Sequence, residues 1–363
     1  MVFLDYASTN PWPKYRCSDY YRPLFNVNAN YAFAEKRMLD ESEERVKKAI
    51  GAKSGKVVFG GTSSQLIENL VMAVHLKTDT NNKTDYQFYY SCYEHDAVEH
   101  FNNWGSFYVD NFDDIIQEAK ECEEEHVTPF VFWQGVSNIT GEIFPVKDIG
   151  YLCHKYNAFY ICDATALLGH VSIEPNIDDW CDFLVLDGHK AGTELGIGCC
   201  WISNRLDKWL NGFKLHGTPN LAGALAMTQA VEDACDKENL TKQEHEWFDL
   251  RLYLEQLFFE QDVEFEYVGE LIVPKLTNAI NAIRLPGFNA DALQQYLAFK
   301  QIYVSIGGSA CAEKHDYRVL NAYGLSNDEA SEVIRVSFGE DSSVEDVGAL
   351  VEGIKEFRDT YVK

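Results

Sequence analysis

The chain has 363 residues, 46% apolar and 13% aromatic, enough for a sizeable core and more than one ordinary core holds. Its 31 basic residues face 57 acidic ones, a formal charge of −26, which argues against direct capture of a nucleic-acid backbone or an anionic membrane surface. No stretch approaches the ~20 continuous apolar residues that span a bilayer. Ten cysteines without a paired CxxC spacing suggest neither a disulfide scaffold nor a zinc site, so no metal is expected.

In chain order, the opening MVFLDYASTN has no basic region and its apolar run stops at Asp5. We therefore expect an unexported chain with reduced thiols in a cytoplasmic-type compartment. Met38, Leu39, Val46, Ala49 and Ile50 fall at amphipathic-helix spacing. Val57-Val58-Phe59 reads as a short buried strand that passes through Gly60-Gly61-Thr62-Ser63-Ser64 into a helical pattern at Leu66, Ile67, Leu70, Val71 and Val74. Four further strand-length runs follow, Phe88–Tyr90, Phe130–Trp133, Phe159–Cys162 and Phe183–Leu186, each after a helical or polar stretch. The acidic run from Glu121 to His126 reads as a solvated helix end, because adjacent side chains point apart rather than converging on an ion. Cys199 and Cys200, inside the apolar GIGCCWI, read as core. Continuous apolar strands alternating with helices imply a mostly parallel sheet covered on both faces.

From about Asp249 the texture changes to a charged helix and shorter strands, such as Gln301–Val304 and Ile334–Phe338. A final helix is expected to start at Ser343, with Asp346 completing its cap and Val347, Val351 and Ile354 on one face. The division expected is a large domain over residues 16–248 and a smaller α+β domain from 1–15 and 249–363.

In an open α/β sheet, ligands gather beyond the carboxyl ends of the strands. Here those ends hold GGTSS, then Glu94 and His95, then Asn138, then Asp163, then His189 and Lys190. Singly, each has a plain structural reading: a helix cap, a turn aspartate, a solvated pair. Together, an anion cradle, a carboxylate, a lysine and an imidazole are the parts that hold pyridoxal phosphate. The lysine amine forms a Schiff base with its aldehyde, and the carboxylate keeps its ring nitrogen protonated. A nicotinamide enzyme is poorly supported, since no GxGxxG follows the first strand.

The motifs VFGGTSS, EHDAV, SNITGE, CDAT, DGHK and GGSAC followed by RVLNAYGL stand in a stretch that runs from FLDYAST to IRVSFG. Together they resemble the cysteine desulfurases (NifS-like), a branch of the class V aminotransferase family. The resemblance implies the fold-type I architecture of pyridoxal-phosphate-dependent transferases, with a mostly parallel seven-stranded sheet, and conversion of L-cysteine to L-alanine. It implies that Lys190 is the Schiff-base lysine, Asp163 the partner of the ring nitrogen and His95 the stacking, proton-moving histidine. Asn138 matches a contact to the cofactor oxygen and the substrate carboxylate, and Arg335 matches the arginine that grips that carboxylate. Ser63, Ser64 and His189 match phosphate contacts. Thr218 matches a threonine that reaches the phosphate of a neighbouring subunit, which implies a homodimer. Cys311, in the small-residue stretch SIGGSAC, matches the thiol that takes the sulfur as a persulfide and passes it to an acceptor protein. Lys314 and His315 are candidates for favouring its thiolate.

Four departures from that pattern stand out. Ala166 replaces a glutamine, removing a hydrogen bond worth ~1 kcal/mol. Asp187 replaces a phosphate-binding serine and is expected to point away. Leu215-His216 stands where an arginine is usual, and the stretch from Cys311 to Arg318 is slightly short. Rival readings are a selenocysteine lyase, a class V aminotransferase, or an inactive homologue that binds partners.

Overall fold

Five residues of one strand, Phe183-Leu-Val-Leu-Asp187, are all buried, and so are the five of Phe159–Asp163 and of Gly198–Ile202. Strands apolar on both faces require cover on both faces, and that sets the architecture. The computed structural model describes residues 1–20, 24–81, 86–99, 106–109, 111–125, 127–269, 275–307 and 317–362. Its strands are β1 (Val2–Phe3), β2 (Lys56–Gly60), β3 (Tyr86–Ser91), β4 (Ser106–Val109), β5 (Thr128–Phe132), β6 (Phe159–Asp163) and β7 (Phe183–Asp187). They continue as β8 (Gly198–Ile202), β9 (Glu266–Val268), β10 (Ile280–Arg284), β11 (Ile302–Tyr303), β12 (Ser305–Ile306) and β13 (Val333–Ser337).

Contacts divide the chain into two units. One comprises Trp12–Gly135 and Pro145–Lys237; the other comprises Met1–Pro11, Val136–Phe144 and Glu238–Lys363. The first contains a seven-stranded sheet in the order β2-β8-β7-β6-β5-β3-β4. Only β8 runs against its neighbours, β2 and β7; the other pairings are parallel. The helix Ser63–Asn81 lays Leu66, Ile67, Leu70, Val71 and Val74 onto a core that includes Phe88, Phe130 and Phe183. Each of those five is at most 1% exposed, worth about 1.5–3 kcal/mol apiece in burial. Cys199 and Cys200 are core residues of β8, both 0% exposed.

The second unit has an antiparallel sheet, β12-β13-β10-β9, and a parallel pair, β1 with β11. The strand expected over Gln301–Val304 is β11 at Ile302–Tyr303, and just beyond it β12 begins at Ser305; β11 pairs with β1 whereas β12 pairs with β13. The closing helix spans Val344–Tyr361, with Ser343 and Asp346 forming the reciprocal cap. No helix among the described residues is long and apolar enough to cross a membrane.

Candidate active site

In the seven-stranded unit, β2, β3, β5, β6 and β7 end at the same edge, and the chemistry-bearing residues follow those ends. Asp163 is the last residue of β6 and lies in register with Val185 of β7. It is 9% exposed, and its Oδ1 accepts the Thr165 amide at 2.9 Å. The Thr165 hydroxyl beside it is buried without a partner. On the adjacent strand, β7 ends at Asp187 and turns through Gly188 to His189 and Lys190. That turn requires glycine: a Cβ on Gly188 would lie 2.3 Å from Thr193 Oγ1 and 2.8 Å from the Ile197 carbonyl oxygen. The Lys190 side chain is half-buried. His95, half-buried past the end of β3, accepts the Ala97 amide on Nδ1 at 3.1 Å, so its neutral ring carries the proton on Nε2.

The Ser63 helix begins in the segment that reads from sequence as an anion cradle. Thr62 and Gln65 close a reciprocal cap: Gln65 N donates to Thr62 Oγ1 at 3.4 Å and Thr62 N donates to Gln65 Oε1 at 3.2 Å. Ser63 N donates to Asp187 Oδ2 at 2.7 Å. Asp187 is 1% exposed, and its Oδ1 accepts the His189 ring Nδ1 at 2.6 Å and the His189 amide at 3.3 Å. This corrects the expectation that Asp187 points away: β7 ends beside the helix start, and the carboxylate takes the strongest local donors. Burial alone pushes its pKa up, but the bonds from His189 and Ser63 outweigh that and hold it below the usual carboxylate value. Thr218 is exposed; Asn26 Nδ2 reaches its Oγ1 at 3.4 Å, and Asn28 Nδ2 donates to the Gly217 carbonyl at 3.1 Å.

Asn138 and Arg335 belong to the second unit and touch each other there. Arg335 is 1% exposed within β13; its Nη1 donates to the Asn138 carbonyl at 2.8 Å. Its Nη2 donates to Asp5 Oδ1 at 2.8 Å and to Ser305 Oγ at 3.2 Å. Two buried polar atoms remain without partners, Arg335 Nε and Asn138 Oδ1. An orphaned buried donor costs about 1–3 kcal/mol, so the arrangement asks for an acceptor. Near these, Tyr323 donates to the fully buried Glu142 at 2.6 Å and accepts from Thr140 at 3.0 Å, tying the SNITGE segment to RVLNAYGL.

Asp5, Ser305 and Thr165 were not singled out by sequence reasoning. A buried arginine demands a carboxylate, and Asp5 stands in the FLDYAST motif; that signal was available for one of the three. At Ala166 the backbone carbonyl accepts His170 Nδ1 at 2.9 Å. His170 keeps some exposed surface, yet burial of its ring pushes its pKa down to about 4; the Ala166 bond opposes this and the Lys190 charge adds to it. Cys311, Lys314 and His315 lie outside the described residues, as does His126 of the acidic run. Among the described residues no group of three or more His, Cys, Asp or Glu is arranged to hold a metal ion.

A mixed α/β unit that gathers a carboxylate, a lysine and two histidines at its strand ends suits a class of cofactor enzymes rather than a single activity. Residues 2–350 match the family model described as Aminotransferase class-V, and the chain belongs to that family. It is 25% identical over 378 residues to a "Cysteine desulfurase IscS" of Clostridium botulinum, covering 97% of this chain and 92% of that protein. The figure is 25% over 386 residues for the protein of that name from Dictyoglomus turgidum, covering 95% and 91%. Among solved structures, a "NIFS-LIKE PROTEIN" superposes with a TM-score of 0.81 at 20% identity over 99% of both chains. The apo cysteine desulfurase from Thermococcus onnurineus gives 0.75 at 21%, covering 98% of this chain and 94% of that one. These likenesses establish the fold.

Proposed function

We propose that this chain is a pyridoxal-phosphate-dependent cysteine desulfurase: L-cysteine and the Cys311 thiol give L-alanine and a Cys311 persulfide. The observation that carries this is the β6–β7 register, which sets Asp163 at one strand end beside the turn that bears Lys190. Family membership supports the cofactor, and the relatives named above support the substrate.

The residues present fit the cofactor. Lys190 supplies the amine for its aldehyde, Asp163 the charge for its ring nitrogen, and the partnerless Thr165 hydroxyl a further polar contact. By resemblance His189, Ser63, Ser64 and, from a second copy of the chain, Thr218 would surround the phosphate, although the His189 ring and the Ser63 amide are already bonded to Asp187. When bound, the cofactor supplies an electron sink for the substrate's α-carbon.

The chain's own groups do the rest. Asp163 stabilises a proton on the ring nitrogen, Lys190 Nζ takes and returns the substrate's α-proton, and His95 offers a proton from Nε2. Arg335 Nε is the buried donor left for the substrate carboxylate, and the side-chain oxygen of Asn138, whose backbone carbonyl Arg335 holds, is also unpaired. The Cys311 thiolate attacks the substrate sulfur: the S–S bond forms, the Cβ–S bond breaks, and its electron pair stays with the carbon, which a proton converts to a methyl group. A thiol reductant then releases sulfide, or an acceptor protein takes the sulfur. The acidic chain suits an acceptor with a basic surface. The nine free cysteines among the described residues suit a reducing, cytoplasmic compartment.

Purified protein with L-cysteine and dithiothreitol is expected to give alanine and sulfide in equal amounts without any keto acid. Cys311→Ser is expected to abolish sulfide. Alanine formed only with a keto-acid partner would make the protein an aminotransferase, and no product with the cofactor bound would overturn the proposal.

A further inference from the structure

We infer that Asp187 fills the phosphate end of the cofactor site with the protein's own negative charge, so that the phosphate adds little to cofactor affinity. It rests on the cofactor proposed above. A helix start normally offers several unbonded amides to an anion. Here most are already taken. Thr62 N is held by Gln65, Gln65 N by Thr62, and Ser63 N by Asp187, while Leu66 N begins the helical ladder on the Thr62 carbonyl. Among the described residues of this turn, the Gly61 and Ser64 amides are the ones left without a protein acceptor. The internal cap is built in: a Cβ on Gly61 would lie 1.7 Å from Gln65 Oε1, so only glycine leaves room for it.

Asp187 is fixed as firmly as its acceptors. Its backbone ends β7, it is 1% exposed, and His189 holds its other oxygen through both ring and amide. The carboxylate therefore draws on two features that would serve a phosphate, the positive end of the helix dipole and the ring Nδ1 of His189. A phosphate dianion arriving there meets a like charge within a few ångströms, a repulsion that offsets what the remaining donors return. Asp187 is thus a specificity-determining residue. It relaxes the requirement for the phosphate group and shifts the work of holding the cofactor to Lys190 and Asp163.

The test is a binding ratio. Cofactor-free protein is titrated with pyridoxal phosphate and with pyridoxal, following the visible absorbance of the lysine adduct. In the unaltered protein the two dissociation constants are expected to agree within about threefold. Asp187→Ser is expected to tighten pyridoxal phosphate about tenfold or more, with pyridoxal little changed. Asp187→Asn, similar in shape but uncharged, is expected to move the ratio the same way. Inorganic phosphate should compete with the cofactor in the variants and hardly at all in the unaltered protein.

A residue with only a structural role would weaken both ligands together and leave the ratio alone, and that result overturns the inference. So does an unaltered-protein ratio of about a hundred or more, which decides the matter even if a variant fails to fold. If the unaltered protein binds neither aldehyde, the proposed function falls and this inference with it.

Discussion

The Ser63 helix start and the Arg335 cluster both look, by residue type, like places for an anion. At the helix start, amides, a histidine and hydroxyls converge, yet the protein's own Thr62, Gln65 and Asp187 oxygens have used three of the amides. At Arg335, carboxylate, hydroxyl and carbonyl acceptors are equally close, but Nε and the Asn138 Oδ1 are left buried and unpaired. The difference teaches that an anion site is defined by donors left unspent, not by donors present. The second place still asks for a partner; the first has largely answered its own demand.

The sharpest way to break the contrast is at Arg335. Arg335→Lys keeps a charge for Asp5 but loses the planar fork. The KM for L-cysteine is expected to rise about tenfold to a hundredfold, or about 1.4–2.8 kcal/mol, with a smaller change in kcat. Steady-state kinetics beside a thermal melt would check it. A lowered melting temperature with KM unmoved would mean that Arg335 serves only Asp5.

A middle-sized effect concerns His170, in the same unit as the first region. Its folded pKa of about 4 lies below the ordinary 6.5, so the unfolded chain binds a proton that the folded chain refuses. Stability should therefore rise with pH across that window and be lost on acidification through it, by an amount of order 2–3 kcal/mol. Urea midpoints at about pH 4.5 and pH 7 would show it, and His170→Asn should flatten the difference. An unchanged slope in that variant would place the acid sensitivity elsewhere.

The smallest effect calibrates the helix starts. Ser343 caps its helix with Asp346 much as Thr62 and Gln65 cap theirs, with no carboxylate from a distant strand. Ser343→Ala should cost about 1 kcal/mol in urea unfolding and leave cofactor affinity untouched. A loss of cofactor affinity in that variant would blur the distinction between a structural cap and Asp187.

Much of this was legible in the chain. The apolar runs at Phe88, Phe130, Phe159 and Phe183 became β3, β5, β6 and β7 because burial on both faces leaves a continuous apolar signature. Ser343 and Asp346 were readable because a capping box is local. Other features were hidden because they depend on partners far along the sequence. Nothing local says that β8 runs antiparallel between β2 and β7, or that 136–144 joins the other unit. The Thr62–Gln65 cap is local as well. Asp187, however, lies 124 residues from Ser63, and only the folded register brings its carboxylate to that amide. The same holds for Asp5 and Arg335.

That last pair sets a timetable. Asp5 and Arg335 lie 330 residues apart, and β1 likewise pairs with β11 near position 302. At 5–20 residues per second, a ribosome takes roughly 17–66 s to make the intervening chain. Until residues 302–303 are made the Val2–Phe3 strand lacks its partner β11, while the unit of 12–135 and 145–237 can already mature. Completion of the second unit therefore waits for a late part of synthesis, and the arginine proposed to receive the amino acid is seated only when two stretches made far apart in time meet.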